Sequence, residues 1–123
     1  MVAATLYLDD ADPDNGCLHV IPGSHKRGYI EHLHDGSHHL SMEAYPLEAA
    51  TPVPMKAGDL LIFSYLTIHG STPNTSERWR RMLLFEFRSP LDCRKNEPEG
   101  GVGRGIIARG VHPNPVPKEG EHY

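Results

Sequence analysis

The stretch Ile68-His69-Gly70-Ser71-Thr72-Pro73-Asn74-Thr75-Ser76-Glu77-Arg78-Trp79-Arg80-Arg81 lies between two apolar runs. The run before it, Leu60-Leu61-Ile62-Phe63, and the run after it, Met82-Leu83-Leu84-Phe85-Glu86-Phe87, each read as a β-strand. A histidine leaves the first strand, a polar turn follows, and arginines enter the second. Both side-chain types can then point into one pocket. An imidazole and a guanidinium so placed can hold a metal and, a few ångströms away, an anionic co-substrate.

Upstream of this stretch, residues 2–8 are apolar and read as a strand. Asp9-Asp10-Ala11-Asp12-Pro13-Asp14-Asn15-Gly16 is a strong turn, because Asn-Gly tolerates positive φ and Asp and Pro favour loops. Residues 17–21 then read as a strand paired with the first in a long-looped hairpin. Residues 27–50 have no clear period and read as a long loop with a short helical turn. Residues 51–55 read as a short edge strand, since Pro52 and Pro54 cannot donate to a ladder. After residue 89 Pro and Gly dominate, and the tail at 90–123 is expected to be irregular and partly disordered. Residues 106–108 could dock as a short strand. The organisation is therefore a mainly β unit at 1–89 and a Gly/Pro-rich tail at 90–123.

Bulk properties exclude several classes. The chain has 123 residues, 38% hydrophobic and 23% charged, which suits one small soluble domain or part of a larger one. Its net charge of −4 carries no basic footprint for nucleic acid. No apolar run reaches the ~20 residues of a membrane span. The start has neither the basic region nor the apolar length of a signal peptide. Cys17 and Cys93 make no disulfide framework, so a reducing, cytoplasmic setting is the simplest reading.

The chemical candidates each have an ordinary alternative. His69 could merely hydrogen-bond at a strand end. Arg80 and Arg81 could be solvated, as Arg78 is expected to be. Strand alternation sets Arg81 with Leu83, Phe85 and Phe87, and so favours Arg81 on the more apolar face. It does not settle which arginine enters a pocket. His32, His34, His38 and His39 match no common structural zinc spacing and read as a solvated loop. Cys17 reads as a small buried residue and Cys93 as a loop thiol.

Four blocks in order resemble the phytanoyl-CoA dioxygenase family of iron(II)- and 2-oxoglutarate-dependent oxygenases. They are Leu6-Tyr7-Leu8-Asp9-Asp10-Ala11-Asp12 running into Asn15-Gly16-Cys17-Leu18, and Ile21-Pro22-Gly23-Ser24-His25-Lys26. Next comes Ala57-Gly58-Asp59-Leu60-Leu61-Ile62-Phe63, and last His69-Gly70-Ser71 with Asn74, Ser76 and Arg80-Arg81. The resemblance spans about residues 2 to 88. It implies a double-stranded β-helix, or jelly roll. It implies Fe(II) and the co-substrate 2-oxoglutarate, with hydroxylation of a small-molecule substrate. It implies that His69 is the distal iron ligand. It also implies that Arg80, eleven residues on, grips the far carboxylate of 2-oxoglutarate with the help of Ser71. Arg81 is the reserve candidate.

The family's other two ligands come as His-x-Asp or His-x-Glu. None of the nine histidines has an acidic residue two places on. The chain therefore corresponds to the C-terminal part of such an enzyme, with an incomplete jelly roll. Exposed sheet edges would call for a missing N-terminal half or a homo-oligomer. The rival reading is a non-catalytic, cupin-like β-barrel binding module or an inactive fragment.

Overall fold

The computed structural model describes residues 1–34, 38–89 and 108–109. The chain divides into two compact units, Met1–Phe87 and Arg88–Tyr123. The first is described here. The expected irregular tail, the Cys93 thiol and most of the expected strand at 106–108 lie outside the described residues.

Eight short strands make up the unit: β1 Val2–Tyr7, β2 Leu18–Val20, β3 Leu33–His34, β4 His38–His39, β5 Thr51–Val53, β6 Leu60–Ser64, β7 His69–Ser71 and β8 Met82–Phe87. They form two three-stranded antiparallel sheets, ordered β6-β1-β8 and β5-β2-β7, and the small hairpin β3-β4. Three single-turn 3-10 segments, Pro13–Asn15, Ser24–Arg27 and Leu47–Ala49, punctuate the loops. Among the described residues no helix is long and apolar enough to cross a membrane.

The expected hairpin between the first two strands is not formed. β1 pairs with β6 and β8, and β2 pairs with β5 and β7 in the other sheet. The intervening loop is held too firmly to reverse into a hairpin. Buried Asn15 accepts from the Asp12 N–H at 2.8 Å and donates to the Asp10 carbonyl at 2.7 Å. Ala11 bridges to Met55, 2.8 Å in each direction. These bonds make the loop a corner that carries the chain from one sheet to the other. The expected edge strand around Pro52 is β5, at one edge of its sheet.

Register places the inner faces. Thr5 lies opposite Leu61 and Leu84, Ala3 opposite Phe63, and Tyr7 opposite Met82. Paired residues point to the same side, so Ala3, Thr5, Tyr7, Leu61, Phe63 and Met82 share a face. In the second sheet Leu18 lies opposite Val53 and Ser71, and Val20 opposite Thr51 and His69. The rings of Phe63 and His69 meet edge to face, with centroids 5.0 Å apart, so these two faces look at each other. Between them the core is thin. Tyr7, Ala11 and Cys17 are fully buried, with Met55, Leu61 and Met82 packed against them. The opposite face of the first sheet is apolar and open: Val2, Leu60, Ile62, Leu83, Phe85 and Phe87 are all exposed.

Gly16 closes the corner at φ +80°, and a Cβ there would run into the Thr72 carbonyl oxygen. Gly23 has a similar φ of +77° but open space around it. Gly23→Ala should therefore cost only the left-handed backbone penalty, about 1 kcal/mol. Gly16→Ala adds a backbone collision and should cost roughly 3 kcal/mol. Urea unfolding midpoints of the two variants check the difference; equal losses would mean the corner does not pack as described.

Candidate active site

His69 opens β7 because pairing with Val20 draws it into the sheet; His-Gly-Ser has no strand preference of its own. Its Nδ1 sits 2.7 Å from the Thr67 carbonyl oxygen. A carbonyl only accepts, so Nδ1 carries the proton and Nε2 presents a lone pair. The Phe63 ring fixes the imidazole from the other sheet. This is how metal-binding imidazoles are held, one nitrogen tethered and the other free. Ser71 lies two residues along β7, on the same inner face, and is exposed. Among the described residues no three His, Cys, Asp or Glu side chains come together to hold a metal ion.

The three arginines that precede β8 have different fates. Arg81 is exposed and clasps Asp9. Its Nε donates to Oδ2 at 2.9 Å, NH2 donates to Oδ1 at 2.8 Å, and its backbone N–H donates to Oδ2 at 2.8 Å. Arg78 reaches Asp12 with NH1 and NH2, at 3.0 and 2.8 Å, and Asp14 with NH2 at 2.6 Å. Arg80 is half-buried, and its Nε is sealed from solvent without a hydrogen-bond partner. Alternation sets Arg81 on the more apolar face, with Leu83, Phe85 and Phe87, but that face is the exposed one. Met82 faces the core opposite Tyr7, so Arg80, two residues earlier, turns the same way and Arg81 turns out to Asp9. Arg78 is likewise not merely solvated.

Charge follows the pairing. The hydrogen bonds from Arg81 hold the Asp9 carboxyl down to about 2. Those from Arg78 hold Asp12 far below the usual carboxylate range. Lys56, 2.8 Å from Asp10, depresses that carboxyl too. Burial pushes up the Tyr7 hydroxyl and the Cys17 thiol, and in both the positive charge of Arg80 opposes the shift. Arg80 therefore sits close enough to these two buried groups to act on them.

Two further buried oxygens lack partners, Tyr7 Oη and Thr72 Oγ1. Sequence reasoning did not single out either residue, nor the aspartates that take Arg78 and Arg81. A signal was present for the aspartates: four of them in one turn match the basic side chains at 56, 78 and 81. Tyr7 looked like one more apolar strand residue. His19 tethers Nδ1 to the Cys17 carbonyl at 3.1 Å, but its register sets it on the other face of β2 from His69. The hairpin β3-β4 brings Leu33 opposite His39 and His34 opposite His38; the side chains of His34 and His38 lie outside what is described. A shallow surface hollow of about 420 Å³, lined by Leu8, Asp9, Asp10, Ala57, Arg78 and Trp79, has its carboxylates already engaged.

The chain matches the phytanoyl-CoA dioxygenase family model over residues 1–82. It belongs to the phytanoyl-CoA dioxygenase family. It is 35% identical over 88 residues to methylphosphonate hydroxylase of Gimesia maris, covering 72% of this chain and 33% of that protein. It is 38% identical over 92 residues to phytanoyl-CoA dioxygenase 1 of Oryza sativa subsp. japonica, again covering 72% and 33%. Among solved structures it is similar to AviO1 from Streptomyces viridochromogenes, with a TM-score of 0.51 and 33% identity over 68% of this chain and 34% of that one. The chain thus spans about a third of the length of the relatives it matches. These relatives are a hydroxylase and a dioxygenase by name, so the family is one of oxygenases.

Because Asp9 titrates at about 2 in the fold against an ordinary 3.8, its contribution to stability is complete above about pH 4. It is lost as the pH falls towards 2. Carbon-detected titration of the Asp9 carboxyl should show a midpoint near 2, moving up towards 3.8 in Arg81→Gln. A wild-type midpoint at the ordinary value would refute the clasp.

Proposed function

We propose that this family member acts in an Fe(II)- and 2-oxoglutarate-dependent dioxygenase. It would couple hydroxylation of a substrate C–H bond to decarboxylation of 2-oxoglutarate. One observation carries the reading: Arg80, eleven residues after His69, is the arginine of its cluster left without a carboxylate. A buried guanidinium edge with an unused donor is a site built for an anion.

The residues present fit part of the implied groups. His69 offers a free Nε2 on a tethered ring, as an iron ligand requires. Arg80 offers the planar fork that matches a carboxylate. Ser71 stands on the same inner face as His69 and can donate its hydroxyl to the same co-substrate. Iron and 2-oxoglutarate, when bound, supply the oxidising power. The chain's own share is to hold one iron position through Nε2, to orient that ring through the Thr67 carbonyl, and to fix the co-substrate's far end at Arg80.

We read the two sheets as part of a double-stranded β-helix. Along β1, β2, β5, β6, β7 and β8 the chain crosses from one sheet to the other at every step except β2 to β5, which are paired neighbours; this repeated crossing supports a jelly roll. β7 and β8 are both edge strands. A strand added to the open edge of β7 could carry the remaining metal ligands beside His69. The exposed apolar face of Ile62, Phe85 and their neighbours supports further covering chain of the same protein, given that the match covers only 33% of the hydroxylase relative. The substrate in this reading is a small molecule.

A second reading has one observation in its favour. With no three potential metal ligands brought together among the described residues, the chain alone could serve as a binding module that holds a dicarboxylate without turnover. Anaerobic titration of the 123-residue chain with Fe(II) and 2-oxoglutarate separates the two. The oxygenase reading expects a saturable visible absorption band. His69→Ala should abolish it, and Arg80→Ala should weaken 2-oxoglutarate binding by about 100-fold, the scale of a lost charged pair. A folded sample that binds 2-oxoglutarate but develops no band would leave the binding module standing.

A further inference from the structure

Tyr7 is a buried group that the reading above does not use. Its side chain is 1% exposed, and its hydroxyl has no partner. Such an oxygen costs free energy unless something completes it. It belongs to the face that holds Met82 and, by alternation, Arg80. The Arg80 charge acts on Tyr7 and also on Cys17, against which Tyr7 packs. Across the corner, β2 and β7 pair Leu18 with Ser71, and Gly16, two residues before Leu18, lies against the Thr72 backbone. Thr72 also buries a hydroxyl without a partner. Two unused donors, Tyr7 Oη and Arg80 Nε, thus belong to one face of the sheet, where Tyr7 packs against Cys17.

An apolar filler does not explain two unpartnered buried donors on one face. An anionic ligand does. The Tyr7 ring is rigid, and burial keeps its hydroxyl protonated at neutral pH, so it can only donate to an anion there. We propose that the Tyr7 hydroxyl is a second donor to the carboxylate gripped by Arg80, and so a co-substrate-binding residue of this chain. The proposal rests on the reading of Arg80 given above and extends it to a residue on the other arm of the sheet. Tyr7 closes the end of the pocket, selecting a ligand with a second carboxylate over one that ends in a methyl group.

The test uses the whole chain, labelled at tyrosine Cζ and arginine Nε, titrated with 2-oxoglutarate and with 2-oxobutyrate, which lacks the far carboxylate. The wild type should saturate with 2-oxoglutarate, shifting both Tyr7 Cζ and Arg80 Nε, and should discriminate against 2-oxobutyrate. Tyr7→Phe should bind 2-oxoglutarate about tenfold more weakly, the scale of one hydrogen bond to a charged group. Its thermal midpoint without ligand should be unchanged or raised, because the variant deletes an unpartnered buried hydroxyl. A purely structural hydroxyl would do the reverse, lowering the midpoint and sparing the affinity. If Arg80→Gln loses binding while Tyr7→Phe keeps it, the Tyr7 proposal fails and the functional reading stands. If Arg80→Gln binds as the wild type does, or the folded wild type does not saturate, both fail. Should Tyr7→Phe not fold, a wild-type Tyr7 Cζ shift unmoved at saturation overturns the proposal by itself.

Discussion

Three arginines lie within four residues, and one acidic loop decides what each of them does. Asp12 and Asp14 take Arg78, and Asp9 takes Arg81. The same loop reaches the β5–β6 turn through Asp10, which accepts from Lys56 Nζ and the Ala57 N–H. These pairs are exposed, and exposed ion pairs contribute little stability. Their weight lies in direction. With Arg81 turned out and clasped through both backbone and side chain, the chain must enter β8 with Arg80 turned in. The loop thus sorts the cations, and the one left over stands at the interior.

That sorting depends on the corner beneath it. Asn15 and Gly16 allow the loop to pack on the Thr72 backbone while Ala11 bridges to Met55. The corner replaces a hairpin and sends β2 into the second sheet. From there β2 recruits a short, unpromising strand, His-Gly-Ser, and so sets His69 on the inner face. The same corner therefore places both halves of the candidate site. An unpartnered buried hydroxyl in so thin a core would be a defect in a purely structural domain. On the face of Tyr7, which also takes Arg80, a shared anionic ligand would give it a chemical reason.

Much of this was legible in the sequence, and the rest failed for identifiable reasons. The long apolar runs that became β1, β6 and β8 declare themselves by composition, and the prolines place β5 at an edge. The residues proposed for the site, His69, Ser71 and Arg80, could be marked by a resemblance carried in four ordered blocks. The pairing of β1 could not be read, because a turn rich in Asp and Asn looks alike whether it closes a hairpin or a corner. The orientation of Arg80 against Arg81 could not be read either. Alternation put Arg81 with Leu83, Phe85 and Phe87, but the more apolar face of β8 is the open one, so counting apolar neighbours does not show which face is interior. Tyr7 was hidden because a buried hydroxyl and a buried ring occupy the same place in an apolar pattern.

The histidine half of the candidate site is set locally. The Thr67 carbonyl two residues back fixes the tautomer of His69, and Phe63 from the facing sheet fixes the ring plane. Neither depends on other metal ligands. Arg80 is likewise fixed by what its neighbours do, through Arg81 on Asp9 and Met82 on Tyr7. Each group thus holds its orientation before any ligand arrives. What the described residues leave open is the edge of β7 beside His69. An edge strand presents unpaired backbone groups in a defined register, so a strand joining there would meet His69 already in place, with its free nitrogen on the inner face.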